Sequence, residues 1–237
     1  MPTPPPSAPS TGGPPVEVET LTAVFQVRDI AAGAEPALCV LLADDGNSAW
    51  RLPGGAVAAE EPLDVSARRA VADTVEITTI AHLEQLAVFS DPARVPGIRT
   101  IASTYLGLVP SDAPTELAVD SAWHAVDHLP ALAYDHDRIV DAARHRLAAK
   151  LSYTNIAFAL APARFPMSQL SEIYCAALGY PVDTTNLLRI LSRRAVVVAT
   201  GTVGKTGRTG GRPPALYAFA DAQLRVTDEF ATLRPPM

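Results

Sequence analysis

Between residues 52 and 77, "LPGGAVAAEEPLDVSARRAVADTVEI" sets two glycines ahead of a run of helix formers that carries Glu61, Arg69 and Asp73. A glycine turn before a helix lets backbone N–H groups come close to a diphosphate. On that helix, positions 70, 73 and 74 are related as i, i+3 and i+4, so their side chains share one face. Three carboxylates there would gather oxygen ligands around Mg²⁺ and polarise a phosphoanhydride. The chain instead has Ala70, Asp73 and Thr74, with Glu60, Glu61 and Glu76 off that face. Mg²⁺ gives up its water reluctantly, and Asp73 alone should not hold a catalytic ion. No metal site and no catalytic residue are expected.

A second group of residues suggests recognition. In "DTTNLLRILSRR" (residues 183 to 194) Leu187, Ile190 and Leu191 make a core stripe, while Thr185, Asn186, Arg189 and Arg193 project from the other side. That polar face suits a DNA major groove, where Arg pairs with guanine, Asn with adenine and Thr with a base edge or phosphate. Downstream, Lys205, Arg208 and Arg212 are interleaved with five glycines, from Gly201 to Gly211, in a loop able to follow a phosphodiester backbone. Charge is divided the same way. Residues 1–149 hold 9 Lys and Arg against 20 Asp and Glu, whereas residues 150–237 hold 10 against 5, so one half repels polyanions and the other attracts them.

The elements that must position these groups can be read from the hydropathy pattern. "ETLTAVFQVRD" and "PALCVLLAD" predict a strand hairpin, and Leu63, Val65, Ala67 and Val71 predict a helix from Pro62 to about Thr74. "LEQLAVFSD" and "RTIASTYLGLVP" predict two more strands, "SAWHAVDHLP" a short extended piece, and "HDRIVDAARHRLAAKL" a helix with Ile139, Ala142, Ala143, Leu147 and Leu151 on one side. Strands interleaved with two helices indicate an α/β domain over residues 16–150. "NIAFALAP", "SQLSEIYCAAL" with Ser168 as N-cap and Gly179 as its stop, and the Asp183-capped segment predict three further helices. Two strands around the basic loop complete a winged helix-turn-helix over residues 151–237.

The remaining composition excludes several classes. The start, "MPTPPPSAPSTGGPP", lacks the basic and apolar regions of a secretory signal, and residues 1–15 are expected to be a disordered, Pro-rich tail. No apolar run is long enough to cross a bilayer, so no membrane partner is expected. Cys39 and Cys175 lie far apart in apolar runs, as buried thiols of a reducing cytoplasm do.

The opening stretch resembles the Nudix box, which runs Gly, five residues, Glu, seven residues, Arg-Glu, aliphatic, any residue, Glu-Glu, any residue, Gly, aliphatic; Gly55, Glu61, Arg69, Val71 and Ile77 fall in place. Ala70, Asp73, Thr74 and Glu76 depart from it. With the C-terminal winged helix, the chain resembles the Nudix-related transcriptional regulators of NAD metabolism, the NrtR family, over about residues 20–220. "LEQLAVFSDPARVPGIRTIASTYLGLVP", "LPALAYDHDRI", "KLSYTNIAFAL" and "GRPPALYAF" carry the rest of that similarity.

The resemblance implies an N-terminal Nudix-like α/β/α sandwich followed by a winged helix-turn-helix. It further implies a cytoplasmic homodimeric bacterial repressor of NAD synthesis or salvage genes, bound to double-stranded operator DNA. Its Nudix domain would sense ADP-ribose or a related NAD-derived nucleotide without cleaving it, and with no required cofactor. Carried over by position, Arg51, Gly54, Gly55, Arg69 and Asp73 would border the effector's diphosphate, with Arg99 following the loop begun by Asp91. Arg69 equally fits a role in pinning the loop through its carbonyls, and His136 of "YDHD" fits either the pocket or the cap of the following helix. Two other classes fit the motifs: an active ADP-ribose hydrolase with an accessory DNA-binding domain, and an adaptor whose basic hairpin meets an acidic protein.

Overall fold

A computed structural model describes residues 15–30, 34–44, 46, 49–75, 79–114, 117–204 and 213–228. The tail, Glu76, Ile77 and the basic residues Lys205, Arg208 and Arg212 lie outside the described residues, the tail but for Pro15. The first two strands, β1 (Val16–Arg28) and β2 (Ala37–Asp44), pair antiparallel with Phe25 opposite Val40, as the hairpin pattern predicts. β1 runs on past its hairpin partner and needs another. It finds one in β4 (Gly54–Ala56), which follows the two-residue β3 (Trp50–Arg51). The glycine pair, expected in a turn, is therefore strand. Gly54 is required by close approach, since a Cβ there would lie 2.3 Å from the Thr20 carbonyl oxygen.

α1 (Leu63–Val75) follows, and its buried face is Ser66, Ala67, Ala70, Val71 and Val75. Leu63 and Val65, expected in the apolar stripe, are exposed; they precede the part of the helix that meets the sheet. β5 (His82–Phe89) and β6 (Arg99–Leu108) pair antiparallel, and β6 runs parallel to β1 from Val16 opposite Arg99 to Phe25 opposite Leu108. β7 (Ser121–Ala125) pairs with the far side of β2. The result is a seven-stranded mixed sheet of order β3-β2-β1-β6-β5, with β4 on β1 and β7 on β2. α1 covers one face through Val24, Leu41, Val71 and Val75, and α2 (His136–Tyr153) covers the other with Ile139, Ala143, Leu147 and Leu151 against Phe25 and Leu106. That is the α/β/α sandwich.

α2 continues through residue 150, where the division between domains was expected, to Tyr153. The predicted short helix is a single 3₁₀ turn, Ile156–Ala159. β8 (Phe165–Pro166), α3 (Met167–Leu178), α4 (Thr184–Arg193), β9 (Val197–Val203) and β10 (Ala215–Phe219) then form two helices beside a three-stranded sheet of order β8-β10-β9. Ser168 is not the N-cap of α3: Pro166 holds that position without a side-chain bond, and Ser168 lies inside the first turn. Gly179 does end α3, in the left-handed region at φ 76°, and Asp183 does cap α4, accepting from the Asn186 N–H at 2.7 Å. One apolar core continues from β1 and β2 through α2 and α3 to Leu187, Leu191 and Val197. Among the described residues no helix is long and apolar enough to cross a membrane.

Candidate effector pocket and nucleic-acid interface

The Nudix-box residues are occupied with one another. Arg69 donates to both oxygens of Glu61 at 2.8–3.1 Å, reaches Asp73 at 3.4 Å and touches the Ala56 carbonyl at 3.4 Å. Hydrogen bonding from Arg69 holds the Glu61 carboxyl below its usual range, and Glu61 in turn raises Arg69. The alternative left open for Arg69, a pin for the loop, describes this geometry. Ala70 is only 3% exposed, on the side of α1 that meets the sheet. Among the described residues no group of three or more His, Cys, Asp or Glu could hold a metal ion. The box does not fit Mg²⁺: on its metal face Asp73 is the one carboxylate and meets Arg69, position 70 is a buried alanine and position 74 is threonine, while Glu61 is ion-paired to Arg69.

Behind the loop, α2 and the segment between β5 and β6 build a cavity of ≈ 370 Å³, bordered by Asp91, Arg94, Pro96, Tyr134, Asp135 and Arg138. Arg94 is its fixed wall. Its side chain is 1% exposed, donates to both oxygens of Asp135 at 2.8 and 3.1 Å, and reaches Glu19 of β1 at 2.6 Å. Burial opposes its charge, but the bonds to Asp135 and Glu19 outweigh that and keep the guanidinium firmly protonated. Tyr134 adopts φ 51°, rare for a bulky side chain, and its ring stands out at 61% exposure. Tyr134 also meets the His136 ring edge-on, with centroids 6.2 Å apart.

His136 is not a helix cap. It is the first residue of α2, and its Nδ1 accepts the Leu52 N–H at 3.0 Å, tying the helix to the strand ahead of the glycines. Burial, reinforced by the Arg94 and Arg51 charges, lowers the imidazole to about 4 despite Asp135, so it is neutral at ordinary pH. Arg51 is exposed beside this group, and Arg99 donates to the Ser90 carbonyl at 2.8 Å, bracing the neighbouring loop.

On α4 the polar face is exposed, as the periodicity predicts. Thr185, Asn186, Arg189 and Arg193 are all exposed while Leu187 and Leu191 are buried. Asn186 Oδ1 accepts from Arg189 Nη2 at 2.6 Å, so the two residues present a joined amide and guanidinium edge.

Residues 157–219 match the NrtR DNA-binding winged helix domain. The "ADPR responsive transcriptional repressor NtrR" of Acinetobacter baylyi is 30% identical over 181 residues, 73% of this chain and 71% of that protein. The chain belongs to the NrtR family. Its fold matches Shewanella oneidensis NrtR, solved in complex with a 27mer DNA, at a TM-score of 0.74 and 23% identity, covering 85% of this chain and 93% of the other. A MutT/nudix family protein from Enterococcus faecalis has a TM-score of 0.63 and 18% identity, covering 90% and 89%.

Within this NrtR-family chain, Arg69 contacts both Asp73 and Glu61, and Arg51 lies close enough to His136 for its charge to act on the imidazole. The sequence placed "YDHD", residues 134–137, near a pocket but did not single out Arg94 or Arg138. "DPAR" and "YDHD" were legible as polar loops, but only long-range pairing shows that Arg94 and Asp135 meet across 41 positions.

Proposed function

We propose that the chain is a bacterial transcriptional repressor of genes for NAD synthesis or salvage, binding operator DNA as a homodimer and responding to ADP-ribose or a related NAD-derived nucleotide. The observation that carries this reading is α4, whose capped helix exposes Thr185, Asn186, Arg189 and Arg193 over a buried Leu187–Leu191 stripe. Two such helices about one DNA turn apart would meet a near-palindromic site. Lys205, Arg208 and Arg212 would contact phosphate from the wing.

The effector site is the cavity bordered by Arg94, Tyr134 and Arg138. There Arg138 supplies donors for a diphosphate, with the exposed Arg51 charge close to His136 beside it, and the exposed Tyr134 ring offers a base a stacking surface. Arg69, held by Glu61 and reaching the Ala56 carbonyl, supports the loop beside the site. The nucleotide is bound and not cleaved, because Ala70 is buried and Glu61 is held by Arg69. The protein acts in the cytoplasm, where both its DNA and its effector occur.

Operator affinity measured with and without ADP-ribose tests the reading, together with analysis for AMP and ribose 5-phosphate after incubation with Mg²⁺. A fall in affinity without product formation is expected. Rapid hydrolysis with no DNA preference would replace the repressor with a hydrolase.

A further inference from the structure

The chain beyond the matched winged-helix domain, residues 221–228, forms a strap between the ends of α2 and α4. Asn155, 1% exposed, reads its backbone: Nδ2 donates to the Gln223 carbonyl at 2.9 Å, and Oδ1 accepts the Arg225 N–H at 2.7 Å. Thr154 bridges Val226, and the Tyr153 carbonyl accepts the Thr227 N–H at 2.7 Å. From the other side two arginines close the joint. Arg225 donates to the Ala195 carbonyl at 2.6 Å, just after α4. Arg194, the C-cap of α4, donates to the Ser152 carbonyl in the last turn of α2 at 3.0 Å and to Asp228 at 2.5 Å.

These arginines sit in the basic half, where a phosphate contact is the ordinary role for such a side chain. Their geometry differs from that of Arg189 and Arg193. Arg194 is 25% exposed and directed at a backbone carbonyl and a carboxylate of its own chain. Asp228 neutralises its charge, so little is left for a polyanion. We propose that Arg194, with the strap it grips, is a positioning residue that sets the angle at which α4 presents Asn186 and Arg189 to bases.

The physical leverage is large. α4 has 10 residues and is held at its C-terminal end by this joint. At about 1.5 Å of rise per residue, a tilt of roughly 10° about Arg194 carries Thr185 some ~2 Å sideways, beyond hydrogen-bond tolerance. Phosphate contacts tolerate such a shift better than paired contacts to a base edge. Loss of the joint should therefore degrade sequence discrimination while leaving general DNA affinity in place.

The test uses the full chain and a duplex enriched by the unmodified protein from a random library, titrated by fluorescence anisotropy beside a scrambled duplex at several salt concentrations. Arg194→Ala should weaken binding to the enriched duplex by ~10- to 100-fold, leave the scrambled duplex within ~2-fold, and keep the salt slope unchanged. Arg194→Lys, a milder change that circular dichroism should show folded, should behave alike, because lysine has a single nitrogen where the forked guanidinium bonds Ser152 through Nη1 and Asp228 through Nη2. An equal fall on both duplexes with a salt slope smaller by about 1 would make Arg194 a phosphate contact and overturn the proposal. So would full rescue by lysine, or unchanged discrimination in both variants. The proposal rests on the DNA-binding reading, and a library that yields no enriched sequence would overturn that reading itself, whereas discrimination that survives both variants removes only the positioning role.

Discussion

The arginines inside the Nudix-like framework and those on the exposed face of α4 meet different fates on folding. In the Nudix-like part, Arg94 is sealed between Glu19 and Asp135, Arg69 is spread over Glu61 and Asp73, and Arg99 holds a loop carbonyl. On the exposed face of α4, and among the described residues, Arg189 bonds to the neutral Asn186 and Arg193 makes no ion pair. A guanidinium whose charge is matched within the fold is framework, and one whose charge is left unmatched at the surface is available to a polyanion. Residue type does not separate the two cases; the carboxylates that tertiary structure delivers do.

The strongest way to break this contrast is Arg94→Ala. It leaves Glu19 and Asp135 facing each other without a cation, and removing one partner of a buried ionic group typically costs about 3–5 kcal/mol. Urea unfolding measures it; a loss below ~1 kcal/mol would mean that solvent already screens the group and that Arg94 is no more framework than Arg193.

Acid should expose the same framework in two steps. Folded His136 resists protonation until about 4, while in the unfolded chain it takes up a proton near 6.5. The unfolded state binds more protons between those values, so stability falls as pH drops through that window, by up to about 3 kcal/mol. Glu84 of β5 extends the loss. Burial raises its carboxyl, but bonds from His82 and Lys150 outweigh that and bring it to about 2, so stability falls further as pH drops from 4.5 toward 2. Denaturation midpoints across pH follow both; a midpoint level between about pH 7 and about pH 5 would contradict a neutral buried imidazole at position 136.

On the helix proposed to read DNA, Arg189→Ala should weaken operator binding by about 1–3 kcal/mol without altering the fold, because its described bond is to the exposed Asn186 and not to the framework. An undiminished preference for the operator would assign base reading to other residues. Asp183→Ala should have the smallest effect, about 1 kcal/mol of stability from the lost bond to the Asn186 N–H. Thermal unfolding together with operator titration would separate that loss from any change in discrimination.

The Asp183 cap and the exposed placement of Arg189 were legible because both are local: a cap acts three residues away, and a polar helix face is a matter of period. The hairpin of β1 and β2, the helix after the glycines and the ends of α3 and α4 were legible on the same grounds, Ser168 excepted. β3, β4 and β8 were not, since each is two or three residues long and becomes strand only where a longer partner supplies hydrogen bonds. The glycine pair shows the same limit. Its sequence is compatible with a ligand loop, and only the nearness of the Thr20 carbonyl shows that Gly54 has no room for a side chain.

Amino-acid order alone determined that this chain has an acidic α/β half, a basic winged-helix half and a Nudix box short of carboxylates, because periodicity, capping and charge are properties of neighbours. Tertiary structure decided which charges are cancelled: that Arg94 meets Glu19 and Asp135, that His136 stays neutral against Leu52, and that Arg194 grips Ser152. Coulomb energy and desolvation depend on distance in space, and sequence separation does not supply that distance.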